Sequence, residues 1–96
     1  MIIDNNVKGT TAEMKLNGWL DTQSAPMLAE AVEALDGSIT ALVLDFTKLE
    51  YISSAGLRQI VAAYKRMNGN MTLRNVSDEI MEVIRMTGLD KRIKFD

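Results

Sequence analysis

Residues 42–67 read LVLDFTKLEYISSAGLRQIVAAYKRM, and the fold turns on how that stretch divides. Leu42 to Phe46 is an apolar run interrupted only by Asp45, the composition of a strand covered on both faces. A short polar passage leads to Ser53-Ser54-Ala55-Gly56. Leu57, Ile60, Val61 and Tyr64 then recur at i, i+3, i+4 and i+7, which puts them on one stripe of a helix. Strand, loop, hydroxyl-bearing helix start and helix make one βα unit. In parallel α/β sheets such a junction lies at the carboxyl edge of the strands, where sites form.

Toward the N-terminus, Ser24 is suited to cap a first helix and Pro26 to sit in its first turn, where a missing N–H costs nothing. Leu28, Ala31, Val32 and Leu35 form the buried stripe of that helix, and Gly37 is the expected left-handed stop. Upstream, Ala12 to Leu20 alternates: Met14, Leu16, Gly18 and Leu20 fall on one side, Glu13, Lys15, Asn17 and Trp19 on the other. Trp19 is thus either an exposed anchor or a residue lying under the N-terminal strand. Ile2 to Val7, followed by Gly9-Thr10-Thr11, is close enough to pair with this segment as an antiparallel hairpin.

Toward the C-terminus, Asn68-Gly69-Asn70 is a strong break and Met71 to Asn75 a short strand. Ser77 caps a third helix with Asp78 and Glu79 in its first turn, the end that favours negative charge. Ile80, Val83, Ile84 and Thr87 are expected to face inward, Gly88 to stop the helix, and Ile93 to Phe95 to form an edge strand charged at Lys94. Strands alternating with helices imply βα units. The expected architecture is one α/β domain over residues 1–96: a mostly parallel sheet of four to five strands, an N-terminal antiparallel strand and at least three helices.

Composition narrows the chemistry. Ninety-six residues suffice for one core and not for two. A net charge of -2 offers no basic stripe for nucleic acid. Cysteine and histidine are both absent, which removes disulfides, thiolate nucleophiles and the commonest general base and zinc ligand. No cofactor or metal is expected. No apolar run approaches the roughly 18 residues of a membrane span, and MIIDNN is no secretory signal, so a cytoplasmic, monomeric protein is the expectation. The seven methionines read mostly as core-filling or flanking residues, with Met27, Met67 and Met81 at stripe edges.

Three junctions, in order, resemble the STAS domain of bacterial anti-sigma factor antagonists. Leu16-Asn17-Gly18-Trp19-Leu20-Asp21 is similar to the family's Leu-x-Gly-x-Leu-Asp. Leu44-Asp45-Phe46 with Tyr51-Ile52-Ser53-Ser54-Ala55-Gly56-Leu57 resembles its signature of a hydrophobic residue followed by Asp-Ser-Ser/Thr-Gly-Leu. Met86-Thr87-Gly88-Leu89 leading to Ile93-Lys94-Phe95 is near its closing Ser/Thr-Gly-Leu and last strand. The resemblance spans essentially the whole chain.

What it implies is a phosphorylation-controlled interaction switch and not an enzyme. In the family, a partner that is both anti-sigma factor and serine kinase phosphorylates the hydroxyl residue after the Asp, and a serine phosphatase resets it. By this resemblance the phosphoacceptor maps to Ser54, the family's carboxylate after the second strand to Asp21, and the partner-binding surface to Asp21, Thr22, Ser53, Ser54, Ala55, Gly56, Leu57 and Arg58. Two departures stand out: Ser53 replaces the family's Asp, and Ala55 follows the acceptor where relatives carry a second hydroxyl. Ser53 is therefore a second candidate acceptor.

Read without the family, Ser54 is a helix N-cap whose hydroxyl accepts from the N–H of Gly56 or Leu57. Arg58, four residues on, is a solvated arginine or a partner for phosphate or an acidic side chain. Asp21 orders its turn or binds a partner. Asp45, a carboxylate in an apolar strand, needs hydrogen-bond donors, and fixing the Ser53 loop is its expected role. Two rival functions remain beside the switch. One is a constitutive scaffold or accessory subunit of a transport or signalling assembly, not regulated at Ser54. The other, a small phosphate-binding enzyme, lacks any Gly-x-Gly-x-x-Gly or Gly-Lys-Ser/Thr pattern.

Overall fold

The computed structural model describes residues 1–96. β1 (Ile2–Lys8) turns at Gly9, whose φ of 61° suits a residue without a Cβ, into β2 (Thr11–Leu20). α1 (Ala25–Glu33) leads to β3 (Ala41–Ile52), α2 (Ser54–Arg66) to β4 (Met71–Arg74), and α3 (Asp78–Thr87) with one 3-10 turn (Leu89–Lys91) to β5 (Lys94–Phe95). The strands lie side by side in chain order. β1 is antiparallel to β2, and every later neighbour is parallel. The expected mixed α/β sheet with three helices is the one observed.

Cross-strand register shows where the core sits. Met14, Leu44 and Leu73 are opposite one another across β2, β3 and β4, and all three are fully buried. The next row, Lys15, Asp45 and Arg74, points to the other face. The apolar stripes of α1 (Leu28, Val32), α2 (Leu57, Ile60, Ala63) and α3 (Ile80, Ile84) join the strand residues in one cluster of 21 buried side chains. The sheet therefore has one face under helices and one open, polar face. This corrects the expectation that Leu42 to Phe46 is covered on both sides: Val43 and Asp45 belong to the open face, and only Leu42, Leu44 and Phe46 to the core.

β3 also runs six residues beyond Phe46, to Ile52. Its twelve residues pair with ten of β2, so β3 carries two extra residues: register shifts fall between Lys15 and Asn17 and between Gly18 and Trp19. At the first bulge the Asp45 carboxylate accepts the Thr47 N–H at 2.9 Å, the Thr47 hydroxyl at 2.6 Å and the Asn75 amide at 3.3 Å. Asp45 thus fixes the bulge and not, as expected, the Ser53 loop. Burial opposes its charge, yet Thr47, Asn75 and the nearby Lys15 more than offset that and hold its pKa below the ordinary carboxylate value. The bulges shift the strand's parity, so Leu49 and Ile52 are both buried although three residues apart.

Helix termini differ from expectation in detail. Ser24 precedes α1, but its hydroxyl caps nothing; buried, it accepts from the Asp21 N–H and is shared between the Trp19 carbonyl and the Asp21 carboxylate. Gly37 does not take a left-handed conformation, because α1 ends earlier, at Glu33, and Asp36 closes the turn by accepting the Ser38 N–H at 2.9 Å. The last carbonyls of α1 are satisfied instead by Arg66 of α2, which donates to Val32 and Glu33. Ser77 and Gly88 cap α3 as read, the latter with φ 79°. Thr87 is exposed and not inward-facing, its hydroxyl bonded back to the Ile84 carbonyl.

Candidate functional site

The carboxyl edge of the sheet is built by two consecutive chain reversals tied together. The Ser53 N–H donates to the Leu20 carbonyl at 2.9 Å, so the end of β2 and the start of α2 are one hydrogen bond apart. Ser53, extended at φ -96° and ψ 175°, is the N-cap: its hydroxyl accepts the Gly56 N–H at 3.2 Å, and its carbonyl accepts from Leu57 at 2.9 Å. Ser53, and not Ser54, therefore fills the capping role. Ser54 is the first helical residue, exposed, with no hydrogen bond from its hydroxyl to the protein.

Gly56 permits this arrangement. A Cβ there would lie 2.6 Å from the Leu20 carbonyl oxygen, 2.8 Å from Leu20 Cγ and 2.9 Å from Ile52 Cγ1. The nearest of these atoms is backbone and cannot swing away. Glycine lets α2 start directly against the ends of β2 and β3.

On the other side of the Leu20 bond, the Asp21 carboxylate accepts the N–H groups of Gln23 and Ser24, each at 3.0 Å. The Ser24 N–H is the chief cause of a pKa below the usual aspartate value, with desolvation opposing it. Asp21 is ionised at neutral pH and orders its turn, leaving Thr22 and Gln23 exposed at the tip. Asp21, Thr22, Ser53 and Ser54 are all brought to this edge. Ala55 is half-buried, Gly56 and Leu57 are buried, and Arg58 is exposed. Leu57 and Arg58, with Ser54, Val61, Thr87 and Leu89, line a shallow and largely apolar depression between α2 and the end of α3.

One feature of this edge was not read from the sequence. Trp19 and Tyr51 are paired across β2 and β3, their ring centroids 5.2 Å apart and tilted by 45°. Both remain exposed, at 57% and 46%. Trp19 is thus an exposed residue and not one lying under β1. The signal was present: Trp19-Leu20-Asp21 and Tyr51-Ile52-Ser53 stand in matching positions once the strands are parallel. No group of three or more acidic side chains is placed to hold a metal ion.

An uncommitted hydroxyl thus stands at the mouth of α2, bordering an apolar depression, on a mixed α/β sheet. The chain belongs to the STAS domain family, which matches residues 3–96. It is 29% identical over 94 residues to the anti-sigma-B factor antagonist of Bacillus subtilis (strain 168), covering 93% of this chain and 86% of that relative. An anti-sigma factor antagonist from Mycobacterium paratuberculosis has the same fold, with a TM-score of 0.86 at 24% identity over 98% of this chain and 83% of that one. So has the phosphorylated form of the Bacillus cell fate determinant SpoIIAA, with a TM-score of 0.69 at 19% identity over 99% and 91% of the two chains. Anti-sigma factor antagonists of this family are binding proteins and not enzymes.

Proposed function

We propose that the protein is an anti-sigma factor antagonist that docks on an anti-sigma factor with serine kinase activity, and that phosphorylation of Ser54 releases it. Such a switch works in the cytoplasm, as a monomer, and needs a serine phosphatase to reset it. The observation that carries this reading is the division of labour at the start of α2: Ser53 caps the helix, and Ser54 is left exposed with its hydroxyl uncommitted. Ser53 is half-buried and its oxygen is engaged by Gly56, which supports Ser54 as the acceptor.

The kinase would transfer the terminal phosphoryl group of a nucleoside triphosphate to Ser54 Oγ. The new O–P bond replaces the one to the departing nucleoside diphosphate, and the hydroxyl proton is released. The phosphate adds roughly -1.5 to -2 charges. At a helix N-terminus it meets free N–H groups and the positive end of the dipole, so the fold tolerates it. Against a partner surface, desolvation and repulsion cost a few kcal/mol, and about 1.4 kcal/mol is tenfold in affinity.

The docking surface on this reading is Asp21, Thr22 and the Ser53–Arg58 segment, together with the exposed rings of Trp19 and Tyr51 at the ends of β2 and β3. Trp and Tyr are the residue types that most often anchor such interfaces. The test is co-purification of the partner followed by intact mass with and without phosphatase. A gain of one phosphate on the parent, lost in Ser54→Ala, supports the proposal. A phosphate that persists in Ser54→Ala refutes it.

A further inference from the structure

Arg58 lies one helical turn after Ser54 on α2, and a spacing of four residues puts both on one face. Both are exposed, and both border the depression floored by Leu57, Val61 and Leu89. The two ion pairs of the molecule both belong to Arg74, on the open face of the sheet; Arg58 has no carboxylate within ion-pair reach. The first turn of α2 is also free of acidic residues, so no carboxylate of that turn competes for its guanidinium. A cation without a partner thus stands one turn from a hydroxyl without a partner.

Building on the reading of Ser54 as the acceptor, we propose that Arg58 is the residue that captures the phosphate, folding back along α2 to hold it on the protein's own surface. A guanidinium presents its N–H donors in a planar fork that fits two phosphate oxygens at once, a geometry that an ammonium group does not match. The consequence is a change of charge along this helix face. The Ser54–Arg58 pair by itself goes from the +1 of Arg58 to about -1 once the phosphate's roughly -2 is added. The same event removes the cation from any partner carboxylate that used it. Arg58 would therefore serve the partner in one state and the phosphate in the other.

The inference is testable on the isolated protein, with phosphoserine incorporated at position 54 during synthesis so that no kinase is needed. The phosphorus NMR shift of this single phosphate is titrated from about pH 4 to 8, spanning its second ionisation near 6, in the parent and in Arg58→Gln and Arg58→Lys. The N–H groups at the start of α2 act alike in all three, so differences isolate residue 58. The expected midpoint for the parent lies about 0.5 pH unit below that of Arg58→Gln, with Arg58→Lys between them. The difference should collapse in roughly 1 M salt, where the Debye length is about 3 Å. Superimposed curves for parent and Arg58→Gln would overturn the proposal. A protein that is never phosphorylated in its cell still gives an answer here, so this inference and the switch itself fail separately.

Discussion

The Ser53 hydroxyl accepts the Gly56 N–H at 3.2 Å, and this one bond separates two adjacent serines into a structural residue and an uncommitted one. Ser53→Ala removes a cap and should cost about 1 kcal/mol of stability. Ser54→Ala removes an exposed hydroxyl with no partner in the protein and should stay within about 0.5 kcal/mol of the parent. Urea midpoints for the two variants check this directly. The reverse order would mean that the cap has been assigned to the wrong serine.

Gly56→Ala should be markedly less stable than either serine variant. Its added methyl would lie 2.6 Å from the Leu20 carbonyl oxygen, and relief requires α2 to move away from β2. Overpacking of this kind costs about 1–3 kcal/mol. An unchanged thermal midpoint would show that α2 has room to shift.

Trp19 and Tyr51 give a prediction that separates binding from folding. Both rings stand on the surface, and Trp19 lies outside the buried cluster. Trp19→Ala should leave the urea midpoint within about 1 kcal/mol of the parent, yet weaken partner binding at least tenfold, or about 1.4 kcal/mol. Undiminished affinity would remove the aromatic pair from the interface.

Asp45 makes a pH-dependent contribution whose sign follows from its depressed pKa. The carboxylate prefers the folded state, so its stabilisation is complete above the unfolded value of about 3.9 and is lost as pH falls through the folded value. Asp45→Asn keeps an oxygen for Thr47 but cannot carry the charge. The parent's advantage over this variant should therefore be full at pH 6–7 and shrink steadily below about pH 4. Equal differences at pH 7 and pH 3 would show that the charge contributes nothing.

Much of this fold was legible because its signals are local. The alternation of Met14 and Leu16 with Glu13 and Lys15, the helical stripe through Leu57 and Ile60, and the caps at Ser77 and Gly88 depend on neighbours a few residues away. What escaped depends on cross-strand register. The bulge at Thr47 exists because β3 has more residues than β2 over the same span, so the length of β3 and the role of Asp45 were both misread. The pairing of Trp19 with Tyr51 is likewise a product of that register. The helix start at the serine pair and glycine was legible, but not that Ser53 would be its cap and Ser54 the exposed hydroxyl.

The most direct measurement is the affinity of the co-purified anti-sigma factor for this protein with Ser54 free and with Ser54 phosphorylated, by isothermal titration at one fixed salt concentration. The switch requires binding to weaken by a factor of about 10 to 100, equivalent to about 1.4–2.8 kcal/mol, when the phosphate is present. Equal affinities for the two forms would contradict it and leave a constitutive scaffold in its place.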